Sequence, residues 1–416
     1  MRLNRIASLL AVLASTPAWT LAQSTASSAQ QSDLLRAVAN APTLNAASRR
    51  SAAARERVDS AGRLADVEVE GMGSRMVGPM DERATMWELN VRQPLPKRGE
   101  RAADRDRARA VVSMTEAEYA ATAGELAADT AIALAEADGA EGRVRLLETQ
   151  IGRLDAVLRS LEARMATGGV RIADRLTVQS RVAAMQLSIE EERRTAEDAL
   201  AEVRGRLGLK PDTPLPAFSA PAVGEIKSDD AAAIRVAAAR KDEANAMVKM
   251  ARASANPTTS VGVRFEQERR AMGPENTVGL AFMTEIPFRG RRYARAEVRA
   301  AEAERAAAES DANAARYRIS SALPRVERAE KLAATARRLS NETVGRLNAE
   351  YDAMVRSASV RNGGESTILQ TVEILERITE AELQVIRADT AARAARAELW
   401  RYVPASQFSP TTNSLP

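Results

Sequence analysis

Hydrophobic and polar positions follow two periods along this chain, and each period appears twice. Leu147, Ile151, Leu154, Leu158, Leu161 and Met165 recur in steps of four and three, the a/d seam of helices packed side by side. The stretch from about 100 to 166 holds no Pro and only scattered Gly, which predicts a single helix of roughly 100 Å at 1.5 Å rise per residue. Gly168-Gly169 supplies the left-handed conformations that end a helix and reverse the chain. Val178, Val182, Met185 and Ile189 carry the same spacing back. A second copy predicts helices over about 291–361 and 365–400, with a turn near 362–365. Pro324 falls inside the first of these. It lacks a helix hydrogen bond and is expected to kink or interrupt the element.

Period two marks the strands. Trp87, Leu89 and Val91 alternate with Glu88, Asn90 and Arg92. Val261, Val263 and Phe265 alternate with Gly262, Arg264 and Glu266, and Val278, Leu280 and Phe282 with Gly279, Ala281 and Met283. Val67 and Val69 alternate with Glu68 and Glu70, although Gly71 and Gly73 weaken that run. The pattern predicts strands at about 65–76, 85–95, 258–268 and 276–286, each with one apolar and one polar face. Their length suits a tilted strand crossing an outer membrane. Taken alone, it suits a small soluble sheet equally well. Loops are expected near Gly78-Pro79 and Gly273-Pro274.

These elements form two tandem copies of one design. Pro96 and Pro287 are 191 residues apart, as are Gly99 and Gly290; Gly169 and Gly364 are 195 apart. The boundaries read as a first repeat over 23–209, a Pro-rich linker over 210–228, a second repeat over 229–403 and a tail over 404–416. Each repeat is ordered helix, two strands, very long helix, turn, returning helix.

Composition narrows the chemistry. The 416 residues include no His and no Cys, which excludes imidazole and thiol nucleophiles and Cys/His zinc sites. Only 3% are aromatic against 45% hydrophobic, so the cores are Ala-rich and thin, as in long helices packed closely. Six of the 60 basic residues are Lys and the other 54 Arg, against 56 acidic residues. The charges are interspersed rather than gathered, so no nucleic-acid partner is expected. An exported carboxylate-based enzyme would need an Asp/Glu pair in a cleft, and none is identifiable. Met72, Met76 and Met80 have a spacing that invites Cu(I), but steps of four along a strand do not gather side chains, and they read as filler. No metal, cofactor or catalytic site is expected.

Arg2 and Arg5 precede an apolar run from Ile6 to Leu13 and a small-residue stretch ending at Ala22. This is the order of a secretory signal peptide over 1–22. No Cys lies there for lipid attachment, and no other stretch reaches the roughly 20 apolar residues of a spanning helix. Four strands cannot close a barrel, for which eight is the usual minimum. In lipid an open sheet would leave edge N–H and C=O groups unpaired at several kcal/mol each. Three protomers in cyclic symmetry would supply twelve strands. Glu88, Arg92, Arg264, Glu266 and Glu285 would then line a wet lumen, while the apolar side chains would meet lipid.

The arrangement resembles the TolC family of trimeric outer-membrane efflux channels, over about 33–402. The residues that carry the resemblance are Gln93-Pro94-Leu95-Pro96 with Arg98-Gly99, the echo Ile286-Pro287-Phe288 with Arg289-Gly290, and the turn from Gly168-Gly169 through Asp174. The first piece resembles the heavy-metal efflux branch. The resemblance implies a mainly α fold with a small membrane β part: long α-helical hairpins form a periplasmic tunnel, and four strands per protomer join a 12-stranded trimeric β-barrel in the outer membrane. It also implies a homotrimer working passively, without enzyme activity, with a periplasmic adaptor protein and an inner-membrane pump. It places the gate at Gln370 and Glu373, whose bland alternative is a solvated helix face. It makes Gly168, Gly169, Asp174, Gly363 and Gly364 the adaptor contacts, whose alternative is a turn that needs glycine for backbone reasons. The rival readings are a soluble periplasmic coiled-coil adaptor or scaffold, and the outer channel of a protein secretion system.

Overall fold

The computed structural model describes residues 31–77, 83–165, 171–226, 228–270, 273–286, 290–360 and 366–408. The signal-peptide segment, the Gly78-Pro79 loop, both predicted helix turns with Gly168, Gly169, Gly363 and Gly364, the Pro287-Phe288-Arg289 echo and the end of the tail lie outside them. In chain order the elements are α1 (described over 31–39), α2 (Pro42–Ser60), β1 (Glu68–Val77), β2 (Arg83–Leu95), α3 (Glu100–Met165), α4 (Ile172–Leu207), α5 (Ala232–Ser254), β3 (Thr258–Arg270), β4 (Gly273–Glu285), α6 (Gly290–Val360) and α7 (Ser366–Ala397). The fold is mainly helical with four strands. Its two compact units cut across the sequence repeats: Ala46–Tyr119 with Ala232–Arg316 make one, and the remaining three segments make the other.

The first unit holds a four-stranded antiparallel sheet in the order β1-β2-β3-β4. Glycine does not break β1, because Gly73 stands opposite Trp87 and the indole ring covers the space a Cβ would fill. Gly273 and Pro274 belong to β4 rather than to a loop. Only two residues separate the strands, and Gly273 takes the positive φ (127°) that a tight connection asks of its glycine. Pro274 is tolerated because it stands at the very start of β4.

The strand-to-helix joint is tied by the Pro96–Gly99 motif. The Lys97 backbone N–H donates to the Glu100 carboxylate (2.8 Å), and the Lys97 ammonium donates to the Ser254 carbonyl (3.1 Å) at the end of α5. The Asn256 amide donates to the Arg98 carbonyl at 3.2 Å. Beyond the joint, the helices bury alanines every seventh residue: Ala103, Ala110 and Ala117 in α3, and Ala294, Ala301, Ala308 and Ala315 in α6. A strict seven-residue repeat keeps one face of each helix turned toward its neighbours, and small side chains let the backbones approach. Charge pairs clamp the outside. Lys249 reaches Asp106 of α3 (2.6 Å), Lys241 reaches Glu309 of α6 (2.8 Å), and Arg55 of α2 reaches Glu116 of α3 (2.7 Å).

In the second unit Leu154, Leu161, Val178, Val372 and Leu375 form a core shared by α3, α4 and α7, with Leu158, Val182, Met185 and Tyr351 packed on it. At its other end Trp400 is fully buried and donates its indole N–H to the Ser219 carbonyl (3.0 Å). Arg206 and Arg401 converge on Asp129. The Pro-rich segment read as a linker is not a free tether here, since Phe218 lies under the Arg393 guanidinium (4.2 Å) and Ile226 joins the Leu399 cluster. Helix α4 ends in a Schellman turn: Gly208 is left-handed (φ 64°), and Leu209 N–H returns to the Arg204 carbonyl. Pro324 does not interrupt α6, which runs 71 residues through it. Its neighbours Ala322, Leu323 and Val326 pack with Leu399 near the C-terminus, which holds this stretch of α6 in place.

Two glycines of α3 test this packing. Replacing a helical Gly by Ala normally stabilises by about 1 kcal/mol, and Gly152→Ala, with open space around its Cβ position, is expected to raise the thermal midpoint accordingly. Gly124→Ala is expected to lower it, because the new methyl would stand 2.8 Å from the Trp400 carbonyl oxygen. A second test concerns acid. Hydrogen bonds from Lys249 and Lys241 hold the Asp106 and Glu309 carboxyls below their ordinary values. Their contribution is therefore complete above the unfolded carboxylate pKa of about 4 and is lost as pH falls through the depressed folded values. Between about pH 5 and pH 2, the wild type is expected to lose more stability in urea titrations than a Lys241→Gln/Lys249→Gln variant.

Candidate functional site

The register of the sheet sorts its side chains onto two faces. Val69 pairs with Val91, Val91 with Val263 and Val263 with Leu280, while Leu89 pairs with Phe265 and Phe265 with Val278. All of these stand on one face with Trp87, Val261 and Phe282. Every one of these except Val91 is an exposed large hydrophobic, Leu280 reaching 90%. Nothing among the described residues covers this face. The edge strands β1 and β4 each pair on one side only.

The opposite face is polar. Arg92 lies across from Glu68 (2.6 Å) and reaches Glu70 (3.9 Å), while Arg264 reaches Glu88 (2.9 Å) and Glu266 (3.5 Å). Glu268, Glu275 and Glu285 share this face by register. Among its described side chains, seven carboxylates therefore face two guanidiniums. The structure brings together Glu88, Arg92, Arg264 and Glu266 of the sequence-derived lumen set, with Glu285 at the sheet's end beside Thr258. Glu68, Glu70, Glu268 and Glu275 were not singled out, although the same even-odd alternation marks all four. Their weight emerges only when four strands are laid in register and the acids add up on one side.

At the hairpins, α7 buries Thr371, Val372, Ile374, Leu375, Ile378 and Thr379. Gln370 and Glu373 therefore face outward. Glu373 is not a lone carboxylate, because Arg377 donates to it one turn later (2.6 Å). Asp174 sits in the first turn of α4, where the helix dipole favours an acid. It is only 7% exposed, and its Oδ2 has no hydrogen-bond partner among the described residues. Ile172 and Leu176 stand exposed one turn apart beside it, a pair the sequence reading passed over. The hairpin glycines 168, 169, 363 and 364 lie outside the described residues. Among the described residues, no group of three or more Asp or Glu gathers as for a metal ion, and no helix is long and apolar enough to cross a membrane.

Residues 34–209 match the family model described as outer membrane efflux protein. No curated protein matches the chain in sequence. Solved structures match almost end to end. A membrane protein from Pseudomonas aeruginosa is 20% identical, with 90% of this chain and 93% of that one covered, at a TM-score of 0.69. The outer membrane protein VceC of Vibrio cholerae is 15% identical, with 90% and 96% covered, at 0.70. CusC, whose structures are described as following folding and transmembrane channel formation, is 16% identical, with 90% and 91% covered, at 0.70. The fold of this chain is that of these outer-membrane and channel proteins.

Proposed function

We propose that this protein is the outer-membrane channel of a tripartite efflux system. Three copies close a 12-stranded barrel, and the helical hairpins form the periplasmic tunnel. The observation that carries the reading is the sheet itself: one uncovered apolar face, one acidic face and two unpaired edges. A soluble adaptor or scaffold would leave that apolar face in water, where contiguous patches of this kind mark interaction or membrane surfaces. In lipid the same face is favourable, but only if β1 of one copy pairs with β4 of the next, since unpaired backbone groups in hydrocarbon are costly.

Closure would turn the polar faces inward. Among the described side chains, seven carboxylates against two guanidiniums make a lumen of negative potential, which enriches cations and repels anions. This supports passive export of cationic cargo, metal cations among them, in keeping with the likeness of the Gln93–Gly99 motif to the heavy-metal branch. The energy comes from an inner-membrane pump coupled through a periplasmic adaptor. The hairpin ends, including Asp174 and the glycine turns, are the adaptor's docking region, and exposed Ile172 and Leu176 offer it apolar contact. At the periplasmic gate, each Glu373 arrives with its own Arg377, so the ring is charge-compensated rather than purely acidic.

The primary experiment is fractionation with crosslinking. Detergent-extractable trimers in the outer-membrane fraction are expected, and a monomer recovered in the soluble periplasm would end the channel reading. Leu280→Arg puts a charge on the lipid face near mid-strand, at about 2–4 kcal/mol for an Arg at the bilayer midplane, and is expected to abolish most membrane-inserted trimers on unheated gels. In planar bilayers, Arg377→Gln is expected to shift the reversal potential toward cations and Glu373→Gln toward anions. Identical potentials for both variants would remove this pair from the conduction path.

A further inference from the structure

Where β3 begins and β4 has ended, the sheet unit carries a second feature that conduction does not use. A cavity of about 630 Å³ is lined by Arg252 at the end of α5 and by Arg292, Arg295 and Arg299 on α6, with Ala255 and Val298 as apolar floor. The three α6 arginines are spaced by three and four residues, so they share one helix face. None of the three has an ion-pair or hydrogen-bond partner among the described residues. Arg252 reaches only Glu302, at 3.8 Å. The nearest carboxylate on the same turn of α6, Glu297, accepts from the Ser254 hydroxyl (3.4 Å). Elsewhere in this unit, cationic side chains such as Lys241, Lys249 and Arg55 are matched to acids across the helices. Here four guanidiniums line one cavity largely unmatched.

The position of the cavity narrows what would neutralise it. Helix α6 begins at Gly290, so Arg292 stands in its first turn, where free N–H groups and the helix dipole add positive potential. Ala255 is three residues before β3 begins, and Arg292 is seven residues after β4 ends. Beside it the apolar face of the sheet ends in exposed Phe282 and Ile286, followed by exposed Tyr293. An aromatic with a polar tip at the end of an apolar band is the pattern of a membrane–water interface. We infer that this cavity binds the phosphodiester headgroup of an anionic phospholipid in the leaflet on the helix side of the sheet. The inference rests on the membrane reading proposed above. The planar guanidinium fork matches phosphate oxygens bidentately, basic pockets at this level hold anionic headgroups, and the volume is that of a ligand pocket. The bound lipid would brace α5 against α6 below the barrel.

The test uses the full-length protein purified as trimers in neutral detergent. Phosphatidylglycerol, phosphatidylcholine and inorganic phosphate are titrated separately, with the thermal midpoint and the lipid retained in native mass spectrometry as readouts. Phosphatidylglycerol is expected to raise the midpoint and stay bound, while phosphatidylcholine is not. The Arg292→Gln/Arg295→Gln/Arg299→Gln variant is expected to need roughly a hundredfold more phosphatidylglycerol. An unchanged response in that variant overturns the assignment. So does a wild-type shift reproduced by inorganic phosphate alone, which makes the site one for a free anion. Loss of trimers in both the triple variant and the single Arg299→Gln variant would also overturn it, since the arginines then serve contact between copies. Planar-bilayer conductance separates the two levels. A wild-type protein that never conducts defeats the channel reading, whereas one that conducts but is indifferent to phosphatidylglycerol defeats only the lipid site.

Discussion

Backbone hydrogen bonding at the two ends of one small sheet constrains everything else in this chain. Four antiparallel strands satisfy each other internally, but β1 and β4 each keep a row of N–H and C=O groups directed outward. Alongside them lies a face of Val, Leu, Phe and Trp that none of the described residues covers. Water could solvate the edges but not the face, and lipid would accept the face but not the edges. Further copies of the same sheet answer both requirements, because an added strand pairs the edge and leaves the apolar face continuous.

The helices answer a different constraint. With so few aromatic residues the chain cannot build a thick core, and its long helices instead meet through alanines repeated every seventh position. That packing buries little area per residue, and the clamps along the outside are surface ion pairs of modest individual worth. Larger anchors are kept for particular places: the Leu154–Leu375 cluster, and the fully buried Trp400. Where α5 and α6 meet the sheet, the pattern of matched charges fails, and four arginines line one cavity.

Charge on the sheet's polar face and charge at α7 behave differently. On the face, acids outnumber bases, and the two arginines are each shared between two glutamates. On α7, Glu373 is matched one to one by Arg377.

Much of the architecture was legible in the order of residues. Period-two alternation identifies strands, the a/d seam identifies helices, and the duplicated Pro-Gly joints show two copies, because each of these signals is local and repeats over many residues. The mainly helical fold class with four strands follows from them. Pro324 shows the limit of local reasoning: a residue that ordinarily breaks a helix stands inside a continuous one of 71 residues, where its neighbours Ala322, Leu323 and Val326 pack with Leu399. The candidate site was only half legible. Glu88, Arg92, Arg264 and Glu266 could be named from alternation. That Arg264 bridges Glu88 and Glu266, that Glu373 is paired with Arg377, that Asp174 is buried and that Arg252 joins three arginines of α6 required the tertiary structure. Alternation along one strand says which side a residue faces. Which residues of other strands and helices share that side depends on register and on contacts between segments some 40 to 190 positions apart, and no local pattern encodes those.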